Sequence, residues 1–513
     1  MFSSLSSLTE RFCLALICPM HCVLSIGRDE MTLHKLPARE LAEKIAAGSV
    51  SSKEATQHFI DRIEKHNPAI NAIIATRFDA ALEEAEAADD AIAKGNVKGP
   101  LHGVPMTIKD LFEVEGLTCD AGFPDYKGHI STSDAVVTTR LKAAGAIIIG
   151  KTNSPMAGGD IQTYNAVHGT TNNPHNLDHT PGGSSGGSSA ALAAAMTPLE
   201  YGSDIGGSVR APAHFSGLFS HKPSFAIVPM RGHVPPPHGM PWEPSELTVA
   251  GPLGHTAGDI ELALDVTVGL DGPMRQAMQI QLRGPRHATP QGLRVGLWLG
   301  DTACEVENAF SSAIEEAGKA LEKQGASLQA ISPDFDKPQH FETYMKRLSA
   351  IVGSDMPPPV FAAMQDIVDA ADADDTSMRV TQARGITLSH GEWLRLNIRK
   401  AKYDLAWQAV FEKVDVLLCP VTPSTAMKHD HNPDFHARTI TVNGAARPYF
   451  DNFFWAGIAT LCGLPSTVVP LGLHDGLPFG MQIIGPAYED KTSLAVAKML
   501  ENIGYQWLQP KGY

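Results

Sequence analysis

One lysine and two serines in this chain stand in contexts that together fit acyl transfer. Lys109 closes an apolar run, Gly103-Val104-Pro105-Met106-Thr107-Ile108-Lys109-Asp110. Ser184 lies in Pro181-Gly182-Gly183-Ser184-Ser185-Gly186-Gly187-Ser188-Ser189, and Ser208 in Gly202-Ser203-Asp204-Ile205-Gly206-Gly207-Ser208-Val209-Arg210. A serine hydroxyl is a weak nucleophile until a base takes its proton, and a desolvated lysine amine can be that base. Glycines beside both serines free the backbone to turn N–H groups toward a developing oxyanion. Lys109 precedes Ser184 by 75 residues, and Ser208 follows Ser184 by 24. Successive side chains on a strand point to opposite faces, so Lys109 and Asp110 need not pair. A lysine enclosed in this way loses its charge readily and becomes available as a base.

Each motif has a plainer reading. A GGSSGGSS stretch alone is most often a flexible linker. Here Ala190-Ala191-Leu192-Ala193-Ala194-Ala195-Met196 follows at once, a strong helix former that puts the serines at a helix N-terminus. Gly182-Gly183-Ser184-Ser185-Gly186 also matches the esterase pattern G-x-S-x-G, but that elbow needs a buried strand before the serine. The preceding Asn173–Pro181 is polar and broken by prolines, which argues against the elbow. No lysine follows the glycines, as a phosphate-binding loop requires. A strand-end lysine is commonly a surface residue, and only the apolar run before Lys109 speaks for burial.

In order and spacing the three motifs resemble those of the amidase signature family. The resemblance implies that Ser208 is the nucleophile that forms an acyl-enzyme. It implies that Ser184, held through a cis peptide bond, passes the proton between Ser208 and Lys109 and later to the leaving amine. The backbone N–H groups of Ile205, Gly206, Gly207 and Ser208 resemble the family's oxyanion hole, and Ser185, Asp204 and Arg210 its supporting shell. Ser203 stands where the family usually has threonine, which keeps the hydroxyl. Gly158 and Gly159 fall in Met156-Ala157-Gly158-Gly159-Asp160, the segment that lines the acyl pocket in relatives, where larger or acidic residues are common. The implied fold is α/β, a mixed central β-sheet sandwiched between α-helices, from about Leu33 to the C-terminus.

Composition fits a large enzyme. At 513 residues, 43% hydrophobic and 19% charged, the chain can bury a sizeable core. A net charge of −15 argues against nucleic acid or an anionic membrane as partner, since both need positive footprints. The seven cysteines, Cys13, Cys18, Cys22, Cys119, Cys304, Cys419 and Cys462, show no C-x-x-C pair, which fits a reducing, cytoplasmic setting without a disulfide framework. His175 and His179 have i, i+4 spacing but are flanked by Pro174 and Pro181, and His429-Asp430-His431 reads as a solvated loop. No metal or other cofactor is expected.

Residues 1–32 read as an N-terminal extension without fixed structure. Their apolar run from Phe12 to Ile26 is interrupted by Pro19 and His21, is followed by no A-x-A-like cleavage site, and is too short to span a membrane. Met31 begins a cleaner start. Within 33–513 the pattern predicts helices over Ala38–Ala47, Ser51–Lys65, Asp79–Lys94 and Ser133–Ala144, and strands over Val104–Lys109 and Ala146–Gly150. From 272 to 414 it reads as a helical insertion around one strand, Leu293–Leu299. Buried strands return at Val416–Cys419, Ser466–Leu471 and Phe479–Ile484, so the core is 33–271 and 415–513.

The leading expectation is a hydrolase of small linear amides, and also of esters and carbamates, working as a monomer or homodimer. Met240 and Trp242, in a proline-stiffened loop after the motif core, are candidates for an apolar wall against an aromatic leaving group. On this reading a larger residue at 158 penalises bulky acyl groups and spares acetyl. The alternatives are the glutaminase subunit of a tRNA-dependent amidotransferase and a non-catalytic binding protein on the same scaffold.

Overall fold

The computed structural model describes residues 33–235, 238 and 246–513. The expected extension 1–32, and the loop residues Met240 and Trp242, lie outside the described residues. Ser51 caps the helix Ser52–Ile70, its side chain accepting from the Glu54 N–H at 2.9 Å, as its place before the periodic run predicts. That helix ends on Asn71 in the left-handed conformation, which turns the chain into the first strand.

Among the described residues, β1 (Ile73–Thr76), β2 (Pro105–Lys109) and β3 (Ile147–Thr152) form a three-stranded sheet with β3 at its centre. Every residue of β2 and β3 is buried, and the two run parallel with Lys109 opposite Thr152. A short hairpin, β4 (Tyr164–Asn165) and β5 (Gly169–Thr170), leads toward the serine motif.

The large sheet takes β6 (Leu199–Asp204), β7 (Phe219–Lys222), β8 (Val249–Gly254), β9 (Arg294–Leu297), β10 (Ser327–Ala330) and β11 (Val416–Pro420). After a separate hairpin, β12 (Thr439–Val442) and β13 (Ala445–Pro448), it is completed by β14 (Ser466–His474) and β15 (Leu477–Ile484). Its order is β10-β9-β11-β15-β14-β7-β8-β6, with β9 parallel to β10 and β11 and the other pairs antiparallel.

Alternation along β11 shows that both faces are covered. Val416 and Leu418 join a core with the helices Ala257–Thr267, Asn308–Lys323 and Asp490–Asn502. Leu417 and Cys419 join another with Lys337–Val352, His390–Lys413 and Phe454–Leu461. The fold is therefore α/β with a mixed central sheet between helices.

Several strands escape the sequence pattern, and three in the large sheet show why. The segment 272–414 holds two strands, β9 and β10, and β10 is a mostly exposed edge without an apolar run. Ser220, His221 and Lys222 of β7 are polar yet buried, with His221 between Thr467 and Asp490. The third, β8, carries two glycines and a proline.

The glycines of the serine motif serve close approach rather than flexibility. The helix Gly186–Ala193 is buried along its whole length. A Cβ on Gly186 would lie 2.3 Å from Thr163 Oγ1, and one on Gly187 2.4 Å from the Asn153 nitrogen. Only a glycine-faced first turn can pack against the end of β3, and that contact delivers Ser184 to Lys109. Gly187→Ala is expected to destabilise the protein by about 1–3 kcal/mol through overpacking, read as a lowered Tm in a thermal melt.

Candidate active site

Lys109 ends β2 fully buried, and its amine is shared by two hydroxyls. Nζ lies 2.7 Å from Ser184 Oγ and 3.1 Å from Ser203 Oγ on β6. Burial lowers the amine to about 7, while the charges of Asp204 and Glu200 pull the other way. Its neighbour Asp110 faces elsewhere, accepting from Lys151 Nζ at 3.2 Å. The strand alternation separates the two as its geometry requires. The Gly183–Ser184 peptide bond is cis.

Ser208 follows β6 in a turn built on Asp204. The Asp204 carboxylate accepts from Gly207 N–H at 2.9 Å and from Val209 N–H at 3.2 Å. It also accepts from Arg210 Nε at 3.1 Å and Nη2 at 3.0 Å. Burial alone would raise this carboxyl, but the Arg210 charge and hydrogen bonds overcome it and hold it below the usual range. Arg210 in turn donates to the Ala456 carbonyl, Gln482 Oε1 and Thr460 Oγ1, which ties the turn to the large sheet and the helix Phe454–Leu461. Ser185 closes the turn from the other side, its N–H donating to the Ser208 carbonyl at 3.1 Å.

This geometry corrects one expectation. The Gly207 amide is committed to Asp204 and is not an open oxyanion donor. Among the described residues nothing accepts from the N–H groups of Ile205, Gly206 or Ser208. The Ser208 hydroxyl makes no hydrogen bond either, to Ser184 included, and it faces a cavity.

That cavity has a volume of about 430 Å³. Gly158, Gly159, Ile205, Gly206 and Ser208 form its catalytic end. Its far walls come from helices of the 272–414 segment, through Met345, Leu348 and Val352 of Lys337–Val352 and Met364 and Ile367 of Pro358–Ala370, with Phe450 and Phe453 opposite. Arg379 and Asp434, paired at 2.9 Å and half exposed, sit at the rim.

The two glycines differ. Gly158 has φ +69°, and a Cβ there would lie 3.2 Å from Ser184 Oγ and 3.1 Å from Leu111 Cδ1. Gly159 has a negative φ, and its Cβ would meet only the Met156 carbonyl, at 3.2 Å. The expectation that a side chain at 158 would spare acetyl substrates is therefore revised, because it would disturb Ser184 itself.

The first histidine of the proline-flanked pair, His175, is partly packed rather than free in solvent. It is half-buried, 3.3 Å from the Ser216 carbonyl, and burial pushes it down to about 4. Among the described residues, Glu113, His129 and His238 gather three possible ligand atoms within 4.8 Å. The two imidazoles there stack face to face with centroids 3.6 Å apart, so their in-plane lone pairs run side by side rather than converge.

A mixed sheet between helices, with a buried lysine joined to a serine beside an open glycine-rich turn, fits a hydrolase that works by acyl transfer. The sequence matches the amidase family over residues 54–494, and the chain belongs to the amidase signature family. It is 32% identical to the indoleacetamide hydrolase of Bradyrhizobium diazoefficiens, over 91% of this chain and 86% of that protein. It is 30% identical to a glutamyl-tRNA(Gln) amidotransferase component of Coxiella burnetii, over 90% of this chain and 96% of that one. The structure of a bacterial aryl acylamidase of the same family superposes with a TM-score of 0.76 at 25% identity, covering 92% of this chain and 97% of that one. The protein is an amidase, a hydrolase of carbon–nitrogen bonds. No helix among the described residues is long and apolar enough to cross a membrane.

Sequence reasoning missed the cavity's far walls, whose only signal was the i, i+3, i+7 spacing of Met345, Leu348 and Val352. It also missed His233 and Glu200, both buried close to Lys109 in electrostatic terms. Gly158→Ala is expected to lower kcat roughly tenfold to a hundredfold for small and large acyl groups alike, because it displaces Ser184. Gly159→Leu is expected to raise KM chiefly for bulky acyl groups. Kinetics on an acyl-length series of anilides checks both.

Proposed function

We propose that the protein hydrolyses small, uncharged amides with apolar or aryl substituents through a Ser208 acyl-enzyme. The observation that carries this reading is the buried Lys109 amine, lowered to about 7 and 2.7 Å from Ser184 Oγ. In the proposed course Lys109 takes the Ser184 proton as Ser184 takes that of Ser208, whose oxygen attacks the carbonyl. The N–H groups of Ile205, Gly206 and Ser208 stabilise the resulting oxyanion. The Lys109 proton then returns through Ser184 to the leaving nitrogen, and water, deprotonated by the same route, releases the acid.

The cavity supports the substrate class. Methionines, leucine and phenylalanines favour an apolar substituent, and relatives named for indoleacetamide and for aryl acylamides agree. Glutamine would bring an amino acid's charged end against mostly apolar walls whose rim charges, Arg379 and Asp434, are already paired with each other, which disfavours the glutaminase reading. Esters and aryl carbamates pass through the same kind of tetrahedral oxyanion, so we include them.

Ser208→Ala is expected to abolish turnover and labelling by an active-site serine phosphonate with the fold retained. Activity of Ser208→Ala together with a dead Ser184→Ala would move the nucleophile to Ser184. A base must be neutral, so kcat/KM is expected to rise with pH through about 7, the value to which burial brings Lys109, and to level off above it. Lys109→Ala is expected to cost about 10²–10⁴-fold. A panel of anilides, esters, carbamates and glutamine at fixed pH tests the substrate class, and glutamine as best substrate would overturn it.

A further inference from the structure

Beyond Ser184, the Lys109 amine has a second set of partners. Ser203 Oγ, 3.1 Å from Nζ, is also 2.9 Å from Nε2 of His233. His233 comes from the loop between β7 and β8, outside both serine motifs. It is buried and packs edge-on against Phe112, with ring centroids 5.1 Å apart. Its other ring nitrogen, Nδ1, lies 3.2 Å from the Pro235 carbonyl.

These contacts fix the direction of the hydrogen bonds from Pro235 through His233 and Ser203 to Lys109. A carbonyl only accepts, so Nδ1 carries the ring proton. Burial, and then the Lys109 charge, push the His233 ring down to about 3, so the ring is neutral in the working range and Nε2 is a lone pair. Ser203 must then donate its O–H to Nε2. Its oxygen is left to accept, and the only donor it can take from Lys109 is an N–H. A neutral amine has two N–H groups and one lone pair, so with one N–H held by Ser203 the lone pair is kept off Ser203 and left available to accept from the Ser184 hydroxyl.

We propose that His233 is a positioning residue which, through Ser203, aims the Lys109 lone pair at Ser184. Resting on the reading of Lys109 as the base, the inference assigns the chain Pro235 carbonyl, His233, Ser203, Lys109, Ser184 as a single polarised line. Without His233 the Ser203 hydroxyl is free to rotate and donate to the amine. That would draw the lone pair away from Ser184 and stall the first proton transfer. Substrate contacts are untouched, because His233 and Ser203 do not line the cavity. The groups whose charge acts on the amine are Asp204 and Glu200 on β6; burial raises Glu200 to about 7, so it titrates in the same range as the amine, and the other titratable neighbour is His233.

The test measures kcat, KM and the pH profile for wild type, His233→Ala, His233→Gln, Ser203→Ala, the double variant His233→Ala/Ser203→Ala, and Lys109→Ala. His233→Ala is expected to lower kcat about tenfold to a hundredfold with KM within about threefold, since a misaimed reacting group costs rate rather than binding. Its acid limb is expected to move to higher pH, because the vacated site admits water beside the amine. Gln places an acceptor oxygen near the position of Nε2, so His233→Gln is expected to recover most of the rate and the wild-type limb. The double variant is expected to be no worse than the poorer single variant, as residues acting in series are not additive. Wild-type kcat and pH profile in His233→Ala, a loss confined to KM, or losses that multiply in the double variant would overturn the proposal. Should His233→Ala not fold, His233→Gln and Ser203→Ala decide it: Gln no better than a dead enzyme, or an unimpaired Ser203→Ala, counts against it. A fully active Lys109→Ala would remove the base reading and this inference together. An inactive Lys109→Ala beside wild-type His233 variants would remove only the inference.

Discussion

A lysine amine held in a dry interior with hydroxyls, and no carboxylate, as its hydrogen-bond partners sets the terms for everything around it. Such a group is stable only if it gives up its charge, and water at its side would restore the charge. The surrounding construction keeps water out. β2 carries Lys109 inward, the glycine-faced turn of Gly186–Ala193 presses Ser184 onto it, and β6 supplies Ser203 from the third side. Each of these approaches depends on backbone packed too tightly for a Cβ or on a strand buried along its length.

The second constraint is ionic and lies beneath the first. Asp204 and Arg210 form a buried pair whose remaining valences are all used, by two backbone amides on one side and by Ala456, Gln482 and Thr460 on the other. Breaking such a pair would leave one charge stranded in the core, so the turn that carries Ser208 is held from below. The same pair uses the Gly207 amide. The amides open for the proposed oxyanion role thus narrow to those the carboxylate leaves free.

The chemistry was more legible in the sequence than the setting. The pairing of Lys109 with Ser184, and the glycine turn that carries Ser208 to the cavity, could be expected because glycines, an apolar strand and a helix former surround these residues, and those are local signals. The long apolar strands, such as β11, β14 and β15, are legible for the same reason. β7 was hidden because its His221 and Lys222 look like loop residues until Asp490 and the Pro223 carbonyl are brought to them. His233 was hidden because its role depends on a tautomer set by Pro235 and on a strand that arrives from elsewhere in the chain. Gly207 was misread because a glycine in a motif does not reveal which carboxylate will claim its N–H.

The cavity joins two parts of the chain under different steric constraints. Its inner end is backbone and glycine, where an atom added at Gly158 crowds Ser184 and one added at Gly206 crowds Phe453. Its outer walls are side chains of helices Lys337–Val352, Pro358–Ala370 and Met378–Ile386, and the second of these has no fully buried residue. Substitutions there change the shape of the vestibule without moving a proton donor or acceptor. Changes there can therefore retune which molecules enter while the proposed bond-breaking groups stay in place, and a laboratory seeking a new amide specificity has the faces of these helices, rather than the motifs, to diversify.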